Sequence, residues 1–161
     1  MSLNTAVMFG KASDEWTTPQ DFYLRLHAEF DFVLDVAATM ESRKCENYIG
    51  PDHPMGVTNA LFVPWAAVVG TAACWMNPPY SRCREFIGKA AHEARNGCTV
   101  VCLVPSRTDT RWWHSDVWDA SVNRCRPGVE VRFVKGRLKF GNSENSAPFP
   151  SAVIVFRPVV T

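Results

Sequence analysis

The chain has 161 residues, 47% of them hydrophobic and 20% charged, which excludes a disordered chain and fits one packed domain. Its net charge of +1 is unevenly divided: residues 1–60 hold four bases against nine acids, and residues 101–140 hold eight bases against four acids. The basic stretch suits a polyanion, or is simply a solvated face.

No apolar run reaches the length of a membrane span. The opening MSLNTAVMFGKASDEW lacks an apolar signal core behind a basic start, so a soluble, cytoplasmic protein is expected. Residues 1–14 read as a loose tail and 15–161 as the domain. A helix is predicted from near Pro19 through Asp21 to Glu29, since proline suits a first helical turn. Phe32-Val33-Leu34 reads as a buried strand ending at Asp35, with Val36-Ala37-Ala38 behind it. Residues 39–60 carry Pro51, Asp52, Pro54, Gly56 and Asn59 and read as loop.

Ala72 to Met76 is the next predicted strand. It must stop at Asn77, because Pro78 and Pro79 cannot donate to a ladder. Ser81 to Asn96 reads as a helix, with Phe86, Ile87, Ala90, Ala91 and Ala94 at helical spacing and Gly97 as its stop. Cys98 to Val104 is almost continuously apolar, like a strand in the middle of a parallel sheet. A Trp-rich helix is predicted over Asp109 to Ala120, with Trp112 and Trp113 in the core. Val129 to Val134 and Ala152 to Phe156 close the chain as strands.

This alternation predicts an α/β domain with a mostly parallel central sheet. Such sheets bind ligands beyond the carboxyl ends of their strands, where Asp35, Asn77 and Pro105 all fall. The six cysteines form no CxxC pair and are expected as free thiols. No Cys/His spacing fits zinc, and no metal is expected.

Asn77-Pro78-Pro79-Tyr80 resembles the [DNS]PP[YFW] tetrapeptide of S-adenosylmethionine-dependent amino methyltransferases, especially those acting on adenine N6 in DNA. Further segments extend the likeness: Trp16-Thr17-Thr18-Pro19, Leu34-Asp35-Val36-Ala37-Ala38, the run from Arg107 to His114, Gly136-Arg137-Leu138-Lys139-Phe140 and Pro148-Phe149-Pro150-Ser151-Ala152. In this order they resemble the compact, phage-type, Dam-like DNA N6-adenine methyltransferases from about Glu15 onward. The resemblance implies a Rossmann-like methyltransferase fold, S-adenosylmethionine as cofactor, DNA as partner and, for a phage-encoded chain, the host cytoplasm as its location.

It also implies a chemistry for the tetrapeptide. The lone pair of an exocyclic adenine amine is delocalised into the ring. Acceptors aimed at both amine hydrogens localise it, and the Asn77 side-chain oxygen and the Pro78 carbonyl are the candidates. Pro78 and Pro79 fix where these oxygens point. Tyr80 offers a flat face to a base flipped from the duplex. On the cofactor side the resemblance places Asp35 with Val36 and Ala37, Thr18 with Pro19, and Asn59. No glycine-rich loop follows Asp35, and Asp35 is alternatively a turn cap. Arg107 and Arg111 are expected to line the DNA side or order the catalytic loop, and Asp109 alternatively caps the next helix. Lys135, Arg137 and Lys139 alternate along an extended segment, facing either phosphates or solvent.

Other readings remain. His27-Ala28-Glu29 matches the H-x-E of zinc base deaminases, but P-C-x-x-C is absent. A catalytically inactive DNA-binding protein of the same fold, or an amino methyltransferase acting on RNA or protein, would also carry these segments.

Overall fold

A computed structural model of the chain describes residues 16–160; the expected tail, 1–14, lies outside the described residues. Helix α1 (Gln20–Phe30) begins behind Pro19, whose carbonyl accepts the Tyr23 N–H at 3.1 Å. It ends at Asp31, in a left-handed conformation with φ 53°, and His27 Nδ1 accepts the Phe32 N–H at 3.1 Å. His27 is therefore a helix-end acceptor, which accounts for the residue that invited a zinc reading.

The central sheet comprises β1 (Phe32–Asp35), β2 (Ala73–Met76), β3 (Thr99–Pro105), β6 (Val129–Phe133) and β7 (Ser151–Phe156), in the order β1-β2-β3-β7-β6. β1, β2 and β3 run parallel, and β7 is antiparallel to both of its neighbours. Four strands thus point one way and β7 the other, a mixed α/β sheet in which the expected parallel core is the β1–β3 part.

Period-two alternation sends side chains to two cores. Cys74, Met76, Val100, Cys102, Val104, Ile154 and Phe156 meet α3 (Cys83–Arg95) on one face. Trp75, Val101, Leu103, Val153 and Val155 meet Tyr23 and Leu26 of α1 on the other. Trp112 and Trp113 are buried in the α3-side core, as expected.

Three elements depart from the sequence reading. A short helix, α2 (Trp65–Val69), stands where none was expected. Glu93, buried in α3, accepts the Ala66 N–H at 2.8 Å, while Lys89 pairs with Glu93 and lies over the Trp65 ring. The helix start is thus capped from 27 residues away. The Trp-rich helix occupies 111–117 only, with Trp113–Val117 in π-helical form. It stops because Trp118 and Asp119 form β4, which pairs with β5 (Arg124–Cys125). Asp109 caps nothing: it is exposed and makes no hydrogen bond among the described residues. Finally, β6 ends at Phe133 and Gly136 turns the chain at φ +75°, so Lys135, Arg137 and Lys139 lie on a bent loop rather than an alternating strand.

Candidate active site

At the carboxyl edge, register brings the loops together. Asp35 lies opposite Trp75, Met76 opposite Cys102, Pro105 opposite Ser151 and Phe133 opposite Ala152. The segments after β1, β2, β3 and β6 therefore emerge on one side. Segment 134–150 folds back toward the first described residues, where the Gly141 N–H donates to the Thr17 carbonyl at 2.8 Å.

Asn77 follows β2 directly. Its Nδ2 donates to the Trp16 carbonyl and to Thr18 Oγ1, the latter at 3.1 Å. Its Oδ1 is enclosed and has no partner among the described residues. An enclosed amide oxygen without a donor is costly, about 1–3 kcal/mol. Pro78 is buried beside it, and Pro79 leads into a turn of 3-10 helix, Tyr80–Arg82.

The Tyr80 hydroxyl is also enclosed and without a partner among the described residues. Burial pushes its ionisation well above the ordinary range, so it stays neutral. Its ring belongs to a four-membered aromatic cluster. Trp16 lies nearly parallel to Tyr80, with centroids 6.5 Å apart and planes 13° apart. Phe149 sits edge-on to both, at 5.1 Å from Trp16 and 5.6 Å from Tyr80. Phe140 does the same at 5.4 Å and 6.3 Å. Sequence reasoning named these segments but did not place Trp16, Phe140 and Phe149 in the site. Neither spacing nor periodicity distinguishes them; only the fold-back of 134–150 unites them.

Asp35 is 2% exposed. Its Oδ1 accepts the Ala37 N–H at 3.3 Å and its Oδ2 the Lys44 N–H at 2.9 Å. The Asp35 carboxylate holds loop 36–44 from inside, which is the capping alternative. The loop returns beside the strand: Ile49 N–H donates to the Asp35 carbonyl and Ala38 N–H to the Ile49 carbonyl, at 2.8 Å and 3.1 Å. Gly50 makes this return possible, since a Cβ there would lie 1.6 Å from the Ala38 carbonyl oxygen.

Asn59 Oδ1 accepts the Leu61 N–H at 3.1 Å and closes its own turn. Thr18 is 3% exposed, with its hydroxyl engaged by Asn77. Asp35, Asn59 and Thr18 are thus each bonded within the chain in this arrangement. Val36 is buried and Ala37 half-buried in the same loop, and Pro19 starts α1.

Burial raises the Asp35 pKa from 3.8 to about 6, against the opposing hydrogen bonds of the Lys44 and Ala37 N–H groups. A folded value above the unfolded one means that the folded state holds the proton more tightly. This contribution to stability is complete below about pH 4 and is lost as pH rises through about 6. Between those limits wild type is expected to lose as much as about 3 kcal/mol relative to Asp35→Asn. Urea melts of both proteins across that range measure the difference, and one independent of pH would contradict it.

The expected DNA-side residues Arg107, Arg111, Lys135, Arg137 and Lys139 are all exposed, and none is ion-paired among the described residues. All five follow strands that end at the carboxyl edge, the edge that carries Asn77. Two other bases of the region are committed elsewhere: Arg132 bridges Glu29 and Glu130, and Arg126 donates to the His114 carbonyl. A hollow of about 290 Å³ lined by Glu29, Asp31, Thr71, Thr99 and Arg157 lies at the amino ends of β1–β3, away from Asn77. The described residues contain no cluster of three or more His, Cys, Asp or Glu able to hold a metal. No described helix is long and apolar enough to cross a membrane.

The sequence model of a family described as DNA N-6-adenine-methyltransferase (Dam) matches residues 6–159. A protein of Escherichia phage T1 named DNA N-6-adenine-methyltransferase is 30% identical over 101 residues, 62% of this chain but 39% of its own length. A protein of the same name from Haemophilus phage HP1 (strain HP1c1) is 26% identical over 148 residues, 90% of this chain and 79% of its own length.

Proposed function

We propose, because this chain belongs to the DNA N-6-adenine-methyltransferase (Dam) family, that it methylates the exocyclic amine of adenine in DNA, with Asn77 receiving that amine. The observation that carries the assignment of Asn77 is its enclosed, unpartnered Oδ1 at the carboxyl edge. An adenine amine donating to Oδ1 would satisfy this acceptor and draw the nitrogen toward tetrahedral geometry. The acceptor is already oriented before the base arrives, so little reorganisation remains for the transition state. Tyr80 offers its ring to the flipped base, and Pro78 and Pro79 hold the segment in line. Since Oδ1 and the Tyr80 hydroxyl are both enclosed, the base enters as the cluster of Trp16, Phe140 and Phe149 parts.

The methyl donor in this reading is S-adenosylmethionine, as the methyltransferase family suggests, and it supplies a methyl group activated on a sulfonium. Residues 15–161 form the methyltransferase domain of this reading, with a Rossmann-like fold supported by the β1–β3 order and by the polar strand ends. Asp35, Val36, Ala37, Thr18, Pro19 and Asn59 stand on the cofactor side by shaping the loops there rather than by offering free side-chain groups. Incubation with unmethylated DNA and labelled S-adenosylmethionine, followed by nucleoside analysis, tests the function. Label in N6-methyladenine is expected; label confined to RNA or protein moves the substrate, and no label in any polymer rejects the enzyme.

The internal bonding of Asp35, Asn59 and Thr18 favours one second reading, a DNA-binding protein of this fold without turnover. It predicts no rise in melting temperature with S-adenosylmethionine, whereas the enzyme must show one.

Arg107, Arg111, Lys135, Arg137 and Lys139 are proposed to meet phosphates. Replacing Lys135, Arg137 and Lys139 together is expected to weaken binding alike on all DNA sequences. The slope of log affinity against log salt should fall by about one per contact. An unaltered slope in the triple variant would assign this loop to solvent.

A further inference from the structure

The amide of Asn77 can present either its oxygen or its nitrogen to a base, and only the oxygen accepts a hydrogen bond from an amine. One group decides between these orientations, and Thr18, whose hydroxyl can accept or donate, adds a second bond to the chosen one. The Trp16 carbonyl has no proton to give, so the group facing it must be the Asn77 NH2. Thr18 Oγ1 lies 3.1 Å from the same nitrogen, on a side chain that is itself 3% exposed and therefore fixed in place. Flipping the amide would set oxygen against the Trp16 carbonyl oxygen.

We propose that Thr18 and the Trp16 carbonyl are the positioning groups of this site, and that they make position 77 selective for asparagine over aspartate. The inference rests on the reading that Asn77 Oδ1 receives the adenine amine. An aspartate would keep an acceptor toward the base, but its second oxygen would face the Trp16 carbonyl with no proton between them. The carboxylate must then rotate away and lose its aim. In this role Thr18 acts through Asn77, so its loss affects the chemical step and not DNA affinity.

The test uses the full chain with four variants, Thr18→Val, Thr18→Ser, Asn77→Asp and Asn77→Ala, each assayed by single-turnover methylation and by DNA binding. Valine matches threonine in shape without the hydroxyl, so Thr18→Val is expected to lower the methylation rate about 10-fold with DNA affinity unchanged. Thr18→Ser should restore it. Asn77→Asp should fall at least 100-fold, close to Asn77→Ala. A second readout needs no turnover. In 15N-resolved spectra the Asn77 side-chain NH2 pair should be protected from solvent exchange in wild type and Thr18→Ser, and exchange faster in Thr18→Val. Thr18→Val with wild-type rate and protection, or Asn77→Asp within a few-fold of wild type, would overturn the positioning role while inactive Asn77→Ala leaves the amine-acceptor reading standing. Wild-type turnover in Asn77→Ala would remove that reading and the positioning role together.

Discussion

Asn77→Ala is expected to reduce methyl transfer by about 100- to 1000-fold, the range for deleting one preorganised polar group aimed at a transition state. The loss should fall on the rate, with DNA affinity nearly unchanged, because the acceptor matters most where charge develops on the amine. Some stability should go with it, since Asn77 Nδ2 bonds the Trp16 carbonyl and Thr18 Oγ1. At about 1 kcal/mol per bond the cost is at most on the order of 1–2 kcal/mol, offset by removal of the enclosed Oδ1, and far from unfolding a typical domain. The two effects therefore separate: thermal melts run beside single-turnover methylation should show a folded protein with almost no activity. A tetrapeptide serving only as a strand-ending turn would instead lose activity in proportion to stability. A folded Asn77→Ala protein with wild-type turnover would end the assignment.

The largest expected stability effect lies elsewhere, at Gly50. A methyl group there would sit 1.6 Å from the Ala38 carbonyl oxygen and 2.8 Å from the Ala38 carbonyl carbon. Both are backbone atoms, so no side chain can swing away to relieve the clash. Relief requires separating the returning loop from Ala38, with the Ala38–Ile49 and Gly50–Val57 backbone bonds at risk. Gly50→Ala is expected to cost about 3 kcal/mol or more, as overpacking against backbone does. Urea denaturation reads this directly, and a midpoint within error of wild type would show that the loop lies farther from β1 than described. Because Asp35 is held within the same loop, the variant should also weaken binding of S-adenosylmethionine if the cofactor side is as proposed.

The parts legible in the sequence are those encoded locally. The apolar run of Cys98 to Val104 announced β3, and the spacing of Phe86, Ile87, Ala90, Ala91 and Ala94 announced α3. The stop at Asn77 followed from two prolines. What escaped was encoded at a distance. Helix α2 depends on Glu93, and no pattern within Trp65–Val69 reports a cap from another helix. The end of the Trp-rich helix depends on Trp118 pairing with Cys125. The alternation of Lys135, Arg137 and Lys139 looked like a strand because their spacing is right, but Gly136 turns the chain between them. In the site, the tetrapeptide was visible and its orientation was not. A main-chain carbonyl at Trp16 leaves no trace in residue identity, and Asp35 looks the same in a string of letters whether it faces a ligand or its own loop.

The bonds that aim Asn77 span 61 and 59 residues, and the fold-back covering the site ties Gly141 to Thr17. These separations match those inside the sheet, where Val100 lies opposite Phe156, so the site is held by contacts as long-range as the sheet's own. A chain with β1 to β3 already paired, but with residues 16–18 undocked, carries the whole tetrapeptide with its amide free to turn. The orientation of Asn77 is thus a property of the closed fold and not of the tetrapeptide alone.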